Sequence, residues 1–159
     1  TRLRLGHPSL EQGLSQSHVN AILQDRHGFL WLGTQDGLNR YDGYRFRVCK
    51  HDERDSASLA DNTVWALYED RKQRLWVGTF GGGIEVLEPG AGAFRAVPLP
   101  SGGDAVAEGV MRIREDRAGR LFIAATDCVT RYDPETGDRL KRADGSDHYW
   151  LPSVEGVTP

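Results

Sequence analysis

The sequence predicts an all-β chain in which about three four-stranded antiparallel sheets follow one another as the blades of an incomplete β-propeller. Three observations lead there. One phrase is written three times, as LQDRHGFLWLGTQDGLNRYDG (23–43), YEDRKQRLWVGTFGGGIEVLE (68–88) and REDRAGRLFIAATDCVTRYDP (114–134). The copies are spaced by 45 and 46 residues, read from Asp25 to Asp70 to Asp116, a period that suits a propeller blade. Within each copy the apolar runs are short, bounded by Gly, Asp and Asn, and too tightly spaced for intervening helices.

Each copy has room for four strands. The first copy opens with VNAILQD (19–25), turns at DRHG, and continues with FLWLGT (29–34). A Gly-bearing turn leads to LNRYD (38–42), and another turn to YRFRVC (44–49). LWLGT and LWVGT are apolar at successive positions instead of alternating, as expected of a strand covered on both faces. Val19, Val64 and Val110 share one slot, as do Leu30, Leu75 and Leu121. One residue slips in at Gly81-Gly82-Gly83, read as a longer hairpin loop; Leu38, Ile84 and Val129 then fall back into register. The expected boundaries are a lead-in strand or loop (1–18), blade 1 with its linker (19–62), blade 2 with its linker (63–108), blade 3 (109–150), and a truncated fourth repeat (151–159). The fourth is read from VEGV (154–157), which mirrors AEGV (107–110).

Repetition also sorts structure from function. A residue type that returns in every copy serves the blade, because a catalytic site is needed once. Asp25, Asp70 and Asp116 fall at the first hairpin turn, where Asp accepts hydrogen bonds from amides just downstream. The Arg that follows each (26, 71, 117) is assigned to structure on the same ground. Trp31, Trp76 and Phe122 read as packing between blades, each burial contributing roughly 2–3 kcal/mol. Gly33 and Gly78 belong to the same structural set.

These residues resemble the two-component regulator propeller repeat: Val-x-x-Ile/Leu-x-x-Asp, then Leu-Trp-x-Gly-Thr, then Gly-Leu-x-x-Tyr-Asp. KHDERDSASLADNTV (50–64) is similar to that family's linker between blades, and 10–46 to the start of its first blade. The match spans about 14–133. Copy three departs from it, with Phe122, Ala124 and Ala125 in place of Trp, Gly and Thr. The resemblance implies the extracytoplasmic, periplasmic sensor region of a bacterial receptor, carried on a membrane span and a cytoplasmic output domain such as a histidine kinase. It also implies a carbohydrate or other polar small molecule as ligand.

Bulk properties exclude other classes. The 159 residues carry 20 basic and 23 acidic side chains with interspersed signs, so no basic face offers itself to nucleic acid. No apolar run is long enough to span a bilayer, and no leader pattern stands at Thr1. Opening on Thr1 and not Met reads as a processed or trimmed chain. Cys49 and Cys128 make neither a disulfide framework nor a metal spacing. The five histidines are scattered without ligand-like spacing, and HDERDS (51–56) reads as a solvated loop without the calcium-loop pattern. GTFGGGI lacks the Lys-Ser/Thr and the helix of a phosphate loop. Asp25-x-x-Gly28-x-x-Trp31 is kept as a shared kind of turn with the sialidase Asp box, with Gln73 at the Gly position of copy two. No cofactor, no metal and no catalytic residue is expected.

The candidate ligand site comes from residues that differ between copies yet share one rim, formed by the loops between second and third strands and by the linkers. They are Asn20, Trp65 and Met111 at the start of strand one, Gln35, Asp36, Phe80 and Asp127 in the loops, and Asn62 on the linker. Trp65 and Phe80 offer an aromatic platform flanked by amides and carboxylates, suited to a sugar or other polar small molecule. Two alternatives are a lyase or hydrolase acting on polysaccharide, with Asp36 and Asp127 as its only acidic candidates, and a protein-binding scaffold. Closed propellers use 4–8 blades, so the expected partners are an oligosaccharide or small-molecule ligand, the remaining blades of the same receptor, and further copies of this chain.

Overall fold

In the computed structural model the described residues are 13–98, 109–126 and 129–139, and all their regular structure is β. Blade 1 consists of β1 (Val19–Gln24), β2 (Leu30–Thr34), β3 (Gly37–Tyr41) and β4 (Phe46–Cys49). Blade 2 consists of β5 (Val64–Glu69), β6 (Leu75–Thr79), β7 (Ile84–Leu87) and β8 (Phe94–Ala96). Blade 3 contributes β9 (Arg112–Glu115), β10 (Leu121–Ala124) and β11 (Val129–Tyr132). Each sheet is a meander in sequence order, antiparallel throughout. Blade 3 continues past β11 in an antiparallel bridge between Tyr132 and Arg139; its expected fourth strand, the 1–12 part of the lead-in and the expected fourth repeat lie outside the described residues. The first strands are neighbours, β1 against β5 and β5 against β9.

The hydrophobic core lies between blades. One cluster joins Trp31 and Leu38 of blade 1 to Val64, Leu67, Leu75 and Val77 of blade 2. The other joins Trp76, Ile84 and Val86 of blade 2 to Val110, Ile113, Leu121, Ile123 and Tyr132 of blade 3. A single sheet cannot bury both of its faces, so stacking provides the core. Every residue of β6, LWVGT, is buried, as the unbroken apolar run predicts. Trp76 is 1% exposed and meets the Tyr132 ring edge-on at 6.0 Å. Phe122 holds the same slot in blade 3 and is half-buried.

The recurring glycines mark where blades approach most closely. A Cβ added to Gly33 would stand 2.6 Å from Val64 Cγ1, and one on Gly78 2.5 Å from Val110 Cγ1. Each valine that opens a blade therefore seats on the glycine of the blade before. In the loop after β6, Thr79 N–H donates to Gly83 at 2.9 Å, which closes the hairpin one residue later than Thr34 and Gly37 do in blade 1. This is the longer loop expected at Gly81–Gly83.

A second repeated slot is buried and polar. Asn39, Glu85 and Thr130 stand at equivalent positions of the third strands and are 0%, 2% and 4% exposed. Asn39 Oδ1 accepts from Ser15 N–H at 2.9 Å, and Glu85 Oε2 from Ala60 N–H at 3.0 Å. Ser15 and Ala60 are themselves 45 residues apart, so each side chain pins the strap of backbone that leads into its own blade. Burial pushes the Glu85 carboxyl up, against the opposing pull of the Ala60 amide and His51.

Candidate functional site

Each blade has two ends. At one, the first and second strands join through the Asp turn; at the other, the second and third strands join, and the linker arrives. Gly37 N–H donates to Asn62 O at 2.7 Å, Phe80 N–H to Thr63 O at 2.9 Å, and Gly109 N–H to Phe80 O at 2.7 Å. The loops and linkers thus share the rim on which the candidate residues were placed.

Two of those residues occupy β-bulges. The pairing of β1 with β2 slips between Val19 and Ala21, and that of β5 with β6 between Val64 and Ala66. Asn20 and Trp65 are the extra residues, and a bulge re-aims the side chain it carries. Asn20 uses its freedom to reach the next blade, where Nδ2 donates to Val64 O at 3.0 Å. Trp65 lies against Phe80, ring centroids 5.0 Å apart and planes 55° to each other. Gly109 passes beneath both rings: a Cβ there would lie 3.5 Å from Trp65 and 3.7 Å from Phe80. The pair therefore covers the arriving linker while Phe80 stays 50% exposed. Met111, at the same slot of blade 3, is 46% exposed.

The polar candidates hold local partners. Asp36 pairs with Lys50 Nζ at 2.6 Å. Asn62 Oδ1 accepts from His51 N–H at 2.7 Å. Gln35 is exposed and accepts weakly from Gln16 at 3.5 Å. Asp127 and Cys128 lie outside the described residues. The structure therefore brings Trp65 and Phe80 together, ties Asn20, Asp36 and Asn62 into the frame, and leaves Phe80 and Met111 open to solvent. Among the described residues, no group of three or more His, Cys, Asp or Glu side chains is arranged to hold a metal ion.

The opposite end is built by the Asp turns. Oδ1 of Asp25, Asp70 and Asp116 each accepts two downstream amides at 2.8–3.0 Å. Oδ2 takes the Trp31 indole in blade 1, both the Trp76 indole and Arg74 Nε in blade 2, and Arg120 Nε in blade 3. In blade 3, where Phe122 has no N–H to offer, the arginine replaces the indole. For the fully buried Asp70, burial pushes the carboxyl up, but its bonds to Trp76 and Arg74 outweigh that and hold it below the usual range. Gln73, at the Gly position of copy two, adopts the same left-handed backbone, φ 64°.

The arginines after the first two aspartates, Arg26 and Arg71, clamp blade to blade, a role not identified from sequence. Arg71 Nε donates to Glu115 Oε1 at 2.7 Å, and its other nitrogens reach the Asp116 and Arg117 carbonyls. Arg26 repeats this more loosely, with its N–H on Glu69 at 3.0 Å and its guanidinium on the Arg71 carbonyl at 3.4 Å. The missed signal was the acidic residue just before each of the later aspartates, Glu69 and Glu115.

Residues 13–36 and 58–81 match the family described as two component regulator propeller. Over 48 residues the chain is 50% identical to the histidine kinase P4 of Formosa agariphila, a stretch covering 30% of this chain and 4% of that protein. The extracellular domain of a protein described as the hybrid two component system BT3049 of B. thetaiotaomicron overlays 92% of this chain and 22% of its own, with a TM-score of 0.77 at 24% identity. The extracellular domain described as the one component system BT4673 of the same organism covers 83% of this chain and 22% of its own, at TM-score 0.65 and 20% identity. A catalytically inactive virginiamycin B lyase of Staphylococcus aureus covers 89% and 44%, at TM-score 0.62 and 15% identity. At these identities the overlays show a common fold. This chain spans less than half the length of each of these proteins.

Proposed function

We propose that this chain is a segment of a two-component regulator sensor propeller that works without catalysis, in the periplasm, as the ligand-sensing part of a receptor with a kinase or other output domain. The observation that supports the reading is the paired repeat match at 13–36 and 58–81. Among the described residues no helix is long and apolar enough to cross a membrane. The proposed ligand is a carbohydrate or other polar small molecule resting on the half-open Trp65–Phe80 pair, with Met111, Asn62 and Gln35 around it. Aromatic faces with a few fixed polar groups suit such a molecule. Signalling requires only that the ligand bind one receptor geometry better than another, since equal affinity for both shifts nothing. The polysaccharide-cleaving alternative has less support, because Lys50 already holds Asp36.

The test is calorimetric titration of the complete receptor propeller with a panel of neutral and acidic oligosaccharides, with and without Phe80→Ser. That side chain is half exposed, so its replacement leaves the fold intact. Binding lost in the variant, with no new reducing ends released, is the expected result. Binding unchanged by the substitution removes the platform, and accumulation of cleaved sugar replaces sensing with catalysis.

A further inference from the structure

We infer that the seam between blades 1 and 2 holds a second binding site, at the Asp-turn end, for a small organic acid whose carboxylate or sulfate lies on Arg40 and Arg47. A cleft of 420 Å³ opens there, with Arg40, Arg47 and Phe29 on the blade 1 side and Leu75, Leu87 and the Pro89–Gly92 turn on the blade 2 side. That volume is within the range of small-molecule sites.

The repeat explains why this seam, and not the seam between blades 2 and 3, calls for a ligand. Trp31, Arg40 and Arg47 are direct cross-strand neighbours on β2, β3 and β4. Their counterparts in blade 2 are Trp76, Val86 and Arg95. There Val86 is fully buried in the next seam, and Arg95 pairs with Glu88 at 3.3 Å. Blade 1 has no such closure. The residue equivalent to Glu88 is Asp42, whose Oδ1 is taken by the Tyr44 and Arg45 amides at 2.8 Å each. Arg40 and Arg47 thus stand side by side with no carboxylate among the described residues paired to either. Like charges directly opposite on a sheet destabilise it. Arg40 is held in place by the Phe29 ring, 3.7 Å from its guanidinium carbon, and its Nε is buried with no hydrogen-bond partner.

The cleft's own carboxylates do not meet this need. Asp25 takes the His27 and Phe29 amides and the Trp31 indole, Glu69 takes Arg26 N–H, and Glu88 takes Arg95. A carboxylate or sulfate presents at least two oxygens to two adjacent guanidinium groups, in the way that arginine recognises carboxylate and phosphate generally. The facing wall of Leu75, Leu87, Pro89 and Ala91 is apolar, so the body of the acid is uncharged. The site stands at the other end of the blades from Trp65 and Phe80 and does not depend on the sugar reading.

The probes are cyclohexanecarboxylate, its uncharged amide and inorganic sulfate, each titrated into the 159-residue chain while following the Trp31 indole N–H and the amides of 87–92 by NMR. Saturable shifts with the acid, at least about tenfold weaker with the amide, are expected. Arg40→Val installs the blade 2 residue, and its expected effect is loss of the acid's shifts with the remaining spectrum preserved. Arg47→Gln serves where Arg40→Val fails to fold. Equal binding of acid and amide, no saturation with either anion, or acid binding unchanged in the folded variant overturns the site. None of these outcomes bears on the sugar titration at Phe80.

Discussion

Asp70 shows how much one carboxylate does in this fold. Four groups converge on it, the Lys72 and Arg74 amides, the Trp76 indole and the Arg74 guanidinium. Asp70→Ala leaves the buried Trp76 indole without its partner and the 11%-exposed Arg74 guanidinium with only Glu135, at 3.1 Å. The expected loss is roughly 3–5 kcal/mol, the cost of breaking a buried ion pair, read from urea midpoints. Trp76→Phe is milder, because blade 3 already runs on Phe122 with Arg120 on Asp116. The pH behaviour of two buried acids has opposite signs. Asp70 titrates below its unfolded 3.8, so its contribution is present above that value and lost as pH falls through the folded pKa. Glu85 titrates above its ordinary 4.5, so stability is full below 4.5 and declines as pH rises through the folded value. Glu85→Gln keeps an acceptor for Ala60 N–H without the buried charge. Its melting temperature is expected to exceed the parent's at pH 7 and to converge with it below pH 4.5; a lower value at pH 7 counts against this.

At the scale of the blade, fit is decided by glycine against valine. Gly78→Ala places a methyl group where Val110 Cγ1 stands, 2.5 Å from the new Cβ. The expected cost is roughly 1–3 kcal/mol of overpacking. Val110→Ala removes the nearest obstructing atom, leaving Val110 Cβ and O at 2.9 Å, so the double variant is expected to recover part of the loss and to be more stable than the two single losses sum to, measured by a denaturant double-mutant cycle. Strict additivity would mean that the two residues do not meet. This pairing explains which features the sequence reveals. Turn aspartates, strand valines, glycines and indoles recur because each seam demands the same residue type at the same offset. Asn39 and Glu85 perform one task with two different residue types, so repetition hides them. Arg26 and Arg71 recur and were assigned to structure, but their contact is with the next sheet, which spacing along one chain does not display. The Arg40 cleft was invisible for a related reason: Arg131 holds the same slot in blade 3, and only the comparison with buried Val86 shows what is unusual. On the candidate rim, residue identity was legible, but the bonds that tie Asn20, Asp36 and Asn62 into the frame were not.

The whole molecule shows what stacking leaves uncovered. Ile22, Leu67 and Ile113 share one slot of the first strand, and they are 68%, 9% and 1% exposed. Leu67 and Ile113 are covered by the blade before, so the same chemistry at Ile22 calls for a blade in front of blade 1. On the proposed reading that blade would come from another part of the receptor; for the 159-residue chain alone a second copy would be the available cover. Gln24 sets the character of this contact. It stands where Glu69 and Glu115 receive the arginine of the preceding blade, so an Arg117 arriving from another copy meets an amide and not a carboxylate. Association of the isolated chain is therefore expected to be driven by apolar contact and to depend weakly on salt. Sedimentation velocity over a concentration series checks this: Ile22→Asp is expected to shift the chain to monomer with its melt unchanged, whereas Leu67→Asp unfolds it. Gln24→Glu is expected to tighten association at low ionic strength by completing the clamp with Arg117. That gain occurs only if copies stack in blade order, blade 3 of one against blade 1 of the next. A Gln24→Glu variant that associates no more tightly, beside an Ile22→Asp variant that still dimerises, would mean that copies meet through some other surface.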